Sequence, residues 1–159
     1  MLAIALTDEL WSGVGVVAAP AVEAEQRVSH SGYTLLVFVI PLLVSALLEA
    51  GIALVSDRLP RRWLVAAGLA VLSASLAACA LAHSGYELAI GLGLAGTASG
   101  VACAAAQAEL VSSNPSDAER TLMRWTLFGG VGDVLTPLLI GALFALGGSY
   151  RLALLLIAA

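Results

Sequence analysis

The sequence predicts an all-α protein, a polytopic bundle of transmembrane helices, and three observations carry that reading. Of the 159 residues, 60% are hydrophobic and 11% are charged, whereas a soluble domain has about a quarter charged residues. Mean hydropathy is correspondingly high, at +1.00. Apolar runs recur along the chain, each close to the roughly twenty residues a helix needs to cross hydrocarbon. Between two of these runs stands Ser56-Asp57-Arg58-Leu59-Pro60-Arg61-Arg62. A turn this polar cannot lie in hydrocarbon, so the runs it joins are helices that meet at a water-facing loop.

Residues 1–22 are apolar except for Asp8 and Glu9. A signal peptide would show a basic start and an uninterrupted apolar stretch. Here the first cation is Arg27 and the chain has no lysine. The run reads as helix 1, with Pro20 near its far end, and is expected to lack its natural start. Residues 23–31 form a polar loop. Helix 2 covers residues 33–55 and contains Pro41 and one acid, Glu49. After the arginine turn, helix 3 covers residues 63–82 without a charge, as expected for lipid contact or plain packing. Helix 4 covers residues 88–110. Its Gly96, Gly100, Ala104 and Ala108 recur every four positions, a small-residue face that admits a close neighbour. The polar stretch 111–124 holds Asn114-Pro115-Ser116-Asp117, which stops one helix and can cap the next. Helix 5 covers residues 125–146 and carries Gly132, Asp133, Pro137 and Gly141. Residues 150–159 begin a sixth helix too short to span.

The arginines set the orientation. The turns after helices 2 and 4 hold Arg58, Arg61, Arg62, Arg120 and Arg124, and the opposite turns hold only Arg27 and Arg151. Short Arg-rich loops stay in the cytoplasm. The N-terminus is therefore expected to be cytoplasmic too, in an integral protein of a bacterial inner membrane.

The intramembrane acids are the candidate functional groups, because an ionisable residue in hydrocarbon is costly and usually faces a cavity or pathway. At about 1.5 Å per residue, Glu49 lies roughly 12 Å above Asp57, and Asp133 roughly 12 Å beyond Trp125. Asp8 falls in the same half, so three helices are expected to bring acids to one layer. Asp8, Glu9, Glu49 and Asp133 are the candidate coupling acids for protons or cations. Capping or hydrogen bonding to neighbouring helices is the plainer role for Glu49 and Asp133. Trp11, Gln107 and Glu109 are weaker candidates for substrate contact. Cys79 and Cys103 sit inside apolar runs as packing residues, with no disulfide framework or metal spacing, and no cofactor is expected. The acidic balance argues against a nucleic-acid partner. Both histidines lie in turns and no Ser–His array is visible, so an enzyme is not expected.

These residues carry a resemblance. The turn between helices 2 and 3 resembles the signature of the major facilitator superfamily, with Asp57, Arg58, Arg61 and Arg62 matching and Ala53 and Pro60 standing where glycines are usual. Helix 5, with Gly132, Thr136, Pro137 and Gly141, is similar to the fifth-helix motif of that family's proton-coupled exporters, although Thr136 replaces the glycine before proline. The family's helix-4 arginine is absent. The stretch Asp8-Glu9-Leu10-Trp11-Ser12-Gly13 resembles helix 1 of bacterial members.

The resemblance implies that the chain is the N-terminal six-helix half of a twelve-helix transporter, cut inside helix 6. Its partners would be the lipid bilayer, a small-molecule substrate, and the missing C-terminal half or a second copy. It further implies alternating access, with a gate at Asp57, Arg58, Arg61 and Arg62, helices 1 and 4 lining the cavity, and helices 2 and 5 meeting the other half. Proton-coupled transport of a small organic solute, tilted towards export, is the leading expectation. A non-transporting scaffold or accessory subunit is the alternative.

Overall fold

A computed structural model of the chain describes residues 1–56, 58–113 and 115–159, with the backbone but not the side chain of residue 53. Every regular element among the described residues is helical. In order they are α1 (Leu2–Val17), α2 (Ala19–Gln26), α3 (His30–Thr34), a π turn (Leu35–Val39), α4 (Ile40–Ser56), α5 (Arg61–Leu81), α6 (Gly85–Ser113), a 3-10 turn (Pro115–Asp117), α7 (Ala118–Ala145) and α8 (Tyr150–Ala158). By length and composition, four continuous helical stretches can cross a membrane: His30–Ser56, Arg61–Leu81, Gly85–Ser113 and Pro115–Ala145. The bent pair α1 and α2 makes a fifth if counted as one span.

The bounds differ from the expected ones where hydropathy and helicity part company. The first run is two helices bent by 56°, and the break falls at Ala18, ahead of Pro20. Proline is tolerated in the first turn of a helix, where its missing N–H leaves no bond unmade. Pro20 therefore starts α2. The polar residues 118–124 form the first two turns of α7, because a helix continues past the hydrocarbon as long as its caps and propensities allow. In the second span, Pro41 has no N–H for the carbonyl four residues back, at Val37. The preceding residues widen into the π turn, in which Ile40 N–H donates to Leu35 O.

Helix α6 is the axis of the bundle. It packs most extensively on α5, then on α4, with narrower contacts to α7 and α1. Helix α1 lies chiefly along α7, and α8 closes on α5. Small residues let these backbones approach. A Cβ on Gly68 of α5 would come within 2.8 Å of Ala98 O and 2.9 Å of Ala102 Cβ. One on Gly93 would meet Val44 Cβ at 2.6 Å, and one on Gly96 would meet Ser45 Oγ at 2.8 Å. Ser45 Oγ donates across the same contact to Gly93 O at 2.9 Å. The expected small-residue face is thus filled by α4 over Gly96 and Gly100, while Ala104 and Ala108 line a cavity.

The end of the bundle opposite the arginine turn is held by specific polar contacts. Arg151, in the first turn of α8, donates through Nε to Glu25 Oε1 at 2.8 Å and through Nη2 to Ala82 O at 2.7 Å. Its Nη1 donates to Ala80 O, so one guanidinium ties α2 and α8 to the open carbonyls at the end of α5. Ser84 and Glu87 cap the start of α6: Glu87 N–H donates to Ser84 Oγ, and Glu87 Oε2 accepts from His83 N–H. That is the Ser-x-x-Glu capping box. The Tyr33 hydroxyl donates to Gly15 O, joining α3 to α1.

Candidate functional site

Two of the intramembrane acids, Asp8 and Glu49, reach Ser99 and Gly100 on α6. Ser99 Oγ donates to Asp8 Oδ1, and Trp11 Nε1 donates to the same oxygen at 3.2 Å. Asp8 is therefore held from α6 and from its own helix. Cys103, one turn beyond Ser99, borders this carboxylate as well. On the next face of α6, Glu49 Oε1 lies 3.1 Å from where a Cβ on Gly100 would stand. Consecutive residues of one helix thus receive an acid from α1 and an acid from α4.

Glu9 points to the other side of α1. It faces Asp133 of α7, and the two carboxyls are in interaction range of each other. The backbones approach closely here. A Cβ on Gly132 would come within 2.6 Å of Glu9 Cβ and 3.1 Å of Leu6 O. Thr136 is buried in this contact. Its hydroxyl lies 3.2 Å from Glu9 O and 2.8 Å from Gly132 O and shares its proton between them. A Cβ on Gly13 would strike Thr136 Cγ2 at 2.5 Å. The fifth-helix motif therefore divides. Gly132 and Thr136 seat α1, whereas Gly141 has open space beside it and Pro137 is exposed. The threonine that departs from the family pattern is the residue that makes the interhelical bond.

At the arginine-rich end, Arg61 Nη1 donates to Ala108 O at 3.1 Å and to Ser112 Oγ at 2.6 Å, and lies 3.6 Å from Glu109 Oε2. The start of α5 is pinned in this way to the last turns of α6. Glu109, considered above for substrate contact, is engaged by Arg61. Asp57 lies outside the described residues. Arg58 and Arg62 are exposed, with no resolved ion pair among the described residues.

A cavity of about 480 Å³ opens between α4, α5 and α6. Glu49 and Arg61 line its two ends, with Ile52, Val101 and Ala104 between. Among the described residues, no group of three or more His, Cys, Asp or Glu side chains is arranged to hold a metal ion.

Sequence reasoning reached the four acids and Arg61 but not Ser99, which orients Asp8. A serine in an alanine-rich helix has the same local pattern whether it bonds its own backbone or a neighbour. Arg151 was counted for charge alone. Its role depends on where α2 and α5 end in space, and spacing along the chain does not carry that.

Long apolar helices around a small-residue axis, with acids within the apolar segments and arginines at the ends, define a polytopic membrane protein. The profile of the Major Facilitator Superfamily matches residues 1–159. The chain belongs to that family, whose members are membrane transporters rather than enzymes. No curated protein and no solved structure matches it.

Proposed function

We propose that the chain serves proton-coupled movement of a small organic solute by alternating access, in the direction of export, with Asp8, Glu9 and Asp133 as the coupling acids. The observation that carries this reading is the contact of α1 with α6 and α7. One carboxylate is oriented there by Ser99 and Trp11, and two more face each other. All seven cations are arginines outside the long apolar runs. These acids therefore have no fixed countercharge, and protonation is the available means of neutralising them as the site changes exposure.

The gate reading draws support from Arg61. Its bonds to Ala108, Ser112 and Glu109 tie two helices at the end where two bundles would rock apart. Under this proposal the arginine turns face the cytoplasm of a bacterial cell, and the exposed faces of α4 and α7 meet the other half of the transporter.

The test is solute uptake by everted membrane vesicles energised with a pH gradient, using a radiolabelled panel of neutral, anionic and cationic solutes. At least one solute should accumulate and be released when the gradient is collapsed. Glu9→Gln and Asp133→Asn should abolish gradient-driven accumulation while leaving gradient-independent exchange. If both variants transport at an unchanged rate and pH profile, these acids have no coupling role.

A further inference from the structure

We propose that the cavity between α4, α5 and α6 binds a monovalent organic cation with an apolar body, its charge set against the Glu49 carboxylate. This names the substrate class of the transporter reading above and rests on it. It separates Glu49 from the other three acids, which lie towards α1 and α7.

The first argument is charge. Among the described residues Glu49 makes no hydrogen bond or ion pair, and it faces a cavity of about 480 Å³. Among the described residues the one cation lining that cavity is Arg61, and it is engaged elsewhere. Its Nη1 contacts Ala108 O, Ser112 Oγ and Glu109. Ala108 lies eight residues along α6 from Gly100, which Glu49 abuts, a separation of about 12 Å at helical rise. Arg61 is thus bonded about two turns of α6 away from Glu49 and does not pair with it. A single positive charge is the complement.

The second argument is shape and polarity. The wall beside Glu49 is Gly100, Val101 and Ala104 from α6, faced by Ile52 from α4. Apart from Glu49, Ser56 and Arg61, the lining is small or aliphatic and leaves width for an apolar body. A sugar or a polyanion would lose hydration without replacement. A lipophilic cation loses little and gains Coulomb attraction, which is stronger away from bulk water.

The third argument is access. A second cavity of about 440 Å³ shares Ile52, Ser56, Leu59 and Leu64 with the first and extends past Leu47 and Val55, both exposed. The groove therefore continues around α4 to its exposed apolar face, the one that the transporter reading sets against the other half.

Equilibrium binding of radiolabelled tetraphenylphosphonium to the purified chain, with no gradient imposed, tests this. Wild type should bind saturably. Glu49→Gln should weaken binding at least tenfold, and Ala104→Phe, which fills the groove, should abolish it. Glu119→Gln, which removes a charge from α7, should bind as wild type. Circular dichroism and size exclusion would establish that each variant is folded. Absence of saturable binding to wild type overturns the proposal, as does unchanged affinity in folded Glu49→Gln or Ala104→Phe. The two readings fail separately. Gradient-driven solute uptake without cation binding here removes this site and leaves the transporter, whereas Glu49-dependent binding without uptake removes the transporter.

Discussion

Gly68 and Gly130 are both glycines inside long apolar helices, yet they do opposite things. The backbone oxygen and side chain that a Cβ on Gly68 would strike belong to α6, which cannot retreat without opening the largest interface in the bundle. Gly68→Ala should therefore destabilise by about 1–3 kcal/mol, the usual range for overpacking. A Cβ on Gly130 of α7 would meet nothing within 4 Å. Gly130→Ala should be neutral or gain up to about 1 kcal/mol from helix propensity. Thermal unfolding in detergent would compare the two. Equal melting temperatures would mean that Gly68 does not set the α5–α6 distance. The repeat on helix 4 was legible in sequence as a close-approach face, since spacing by four fixes one side of a helix. Gly68 was not, because a single glycine has no period.

At the scale of the element, the end of α5 shows how a cap is supplied from far along the chain. Its last carbonyls have no intrahelical donors, and Arg151 bonds two carbonyls there while pairing with Glu25. A charged donor to a partly buried carbonyl contributes about 1.5–3 kcal/mol. The ion pair itself is half-exposed and contributes about 0.2–1 kcal/mol. Arg151→Gln should accordingly loosen the end of α5 more than Glu25→Gln does. Cys79, at 0% exposure in the final turn of α5, is a built-in reporter. In a Cys103→Ala background, N-ethylmaleimide labelling of Cys79 should rise several-fold in Arg151→Gln and less in Glu25→Gln. No rise in Arg151→Gln would show that α5 is held by packing alone.

The long apolar helices were legible in the sequence, because hydropathy marks where the bilayer is. The division of the first run into α1 and α2 was not, nor that the expected polar loop 23–31 is helical at both ends, in α2 up to Gln26 and in α3 from His30. Element bounds were not legible either. Residues 118–124 are polar yet helical, since water ends a hydrophobic run without ending a helix. The bend at Ala18 and the π turn before Pro41 follow from how the chain disposes of missing proline donors, and that depends on tertiary contact. The candidate site was legible as a set of acids on three helices. Its division by α6 into an Asp8 side and a Glu49 side was not, because adjacent positions on one helix send their neighbours to different faces.

For the whole molecule, the proposed orientation rests on charge alone and can be tested without knowing a substrate. Five arginines lie at or beside the starts of α5 and α7 and two at the other end of the bundle, and the Arg bias near the ends of spans is the dominant determinant of topology. His83 and Ser116 are exposed residues at opposite ends of α6, so one cysteine at each position reads both sides of the membrane. With Cys79 and Cys103 replaced by alanine, His83→Cys should react with a membrane-impermeant maleimide in intact cells. Ser116→Cys should react only after permeabilisation. If the arginine bias sets the direction, it can be removed: replacing Arg58, Arg62, Arg120 and Arg124 by glutamine would leave one arginine against two. That variant should insert in both orientations, seen as partial labelling of Ser116→Cys in intact cells. Arg61 is kept in this variant because it also ties α5 to α6, and its loss would mix a packing defect with a topological one. Labelling of Ser116→Cys from outside in the parent would invert the assignment. It would place the Arg61 contact on the external face and with it the mouth of the Glu49 groove.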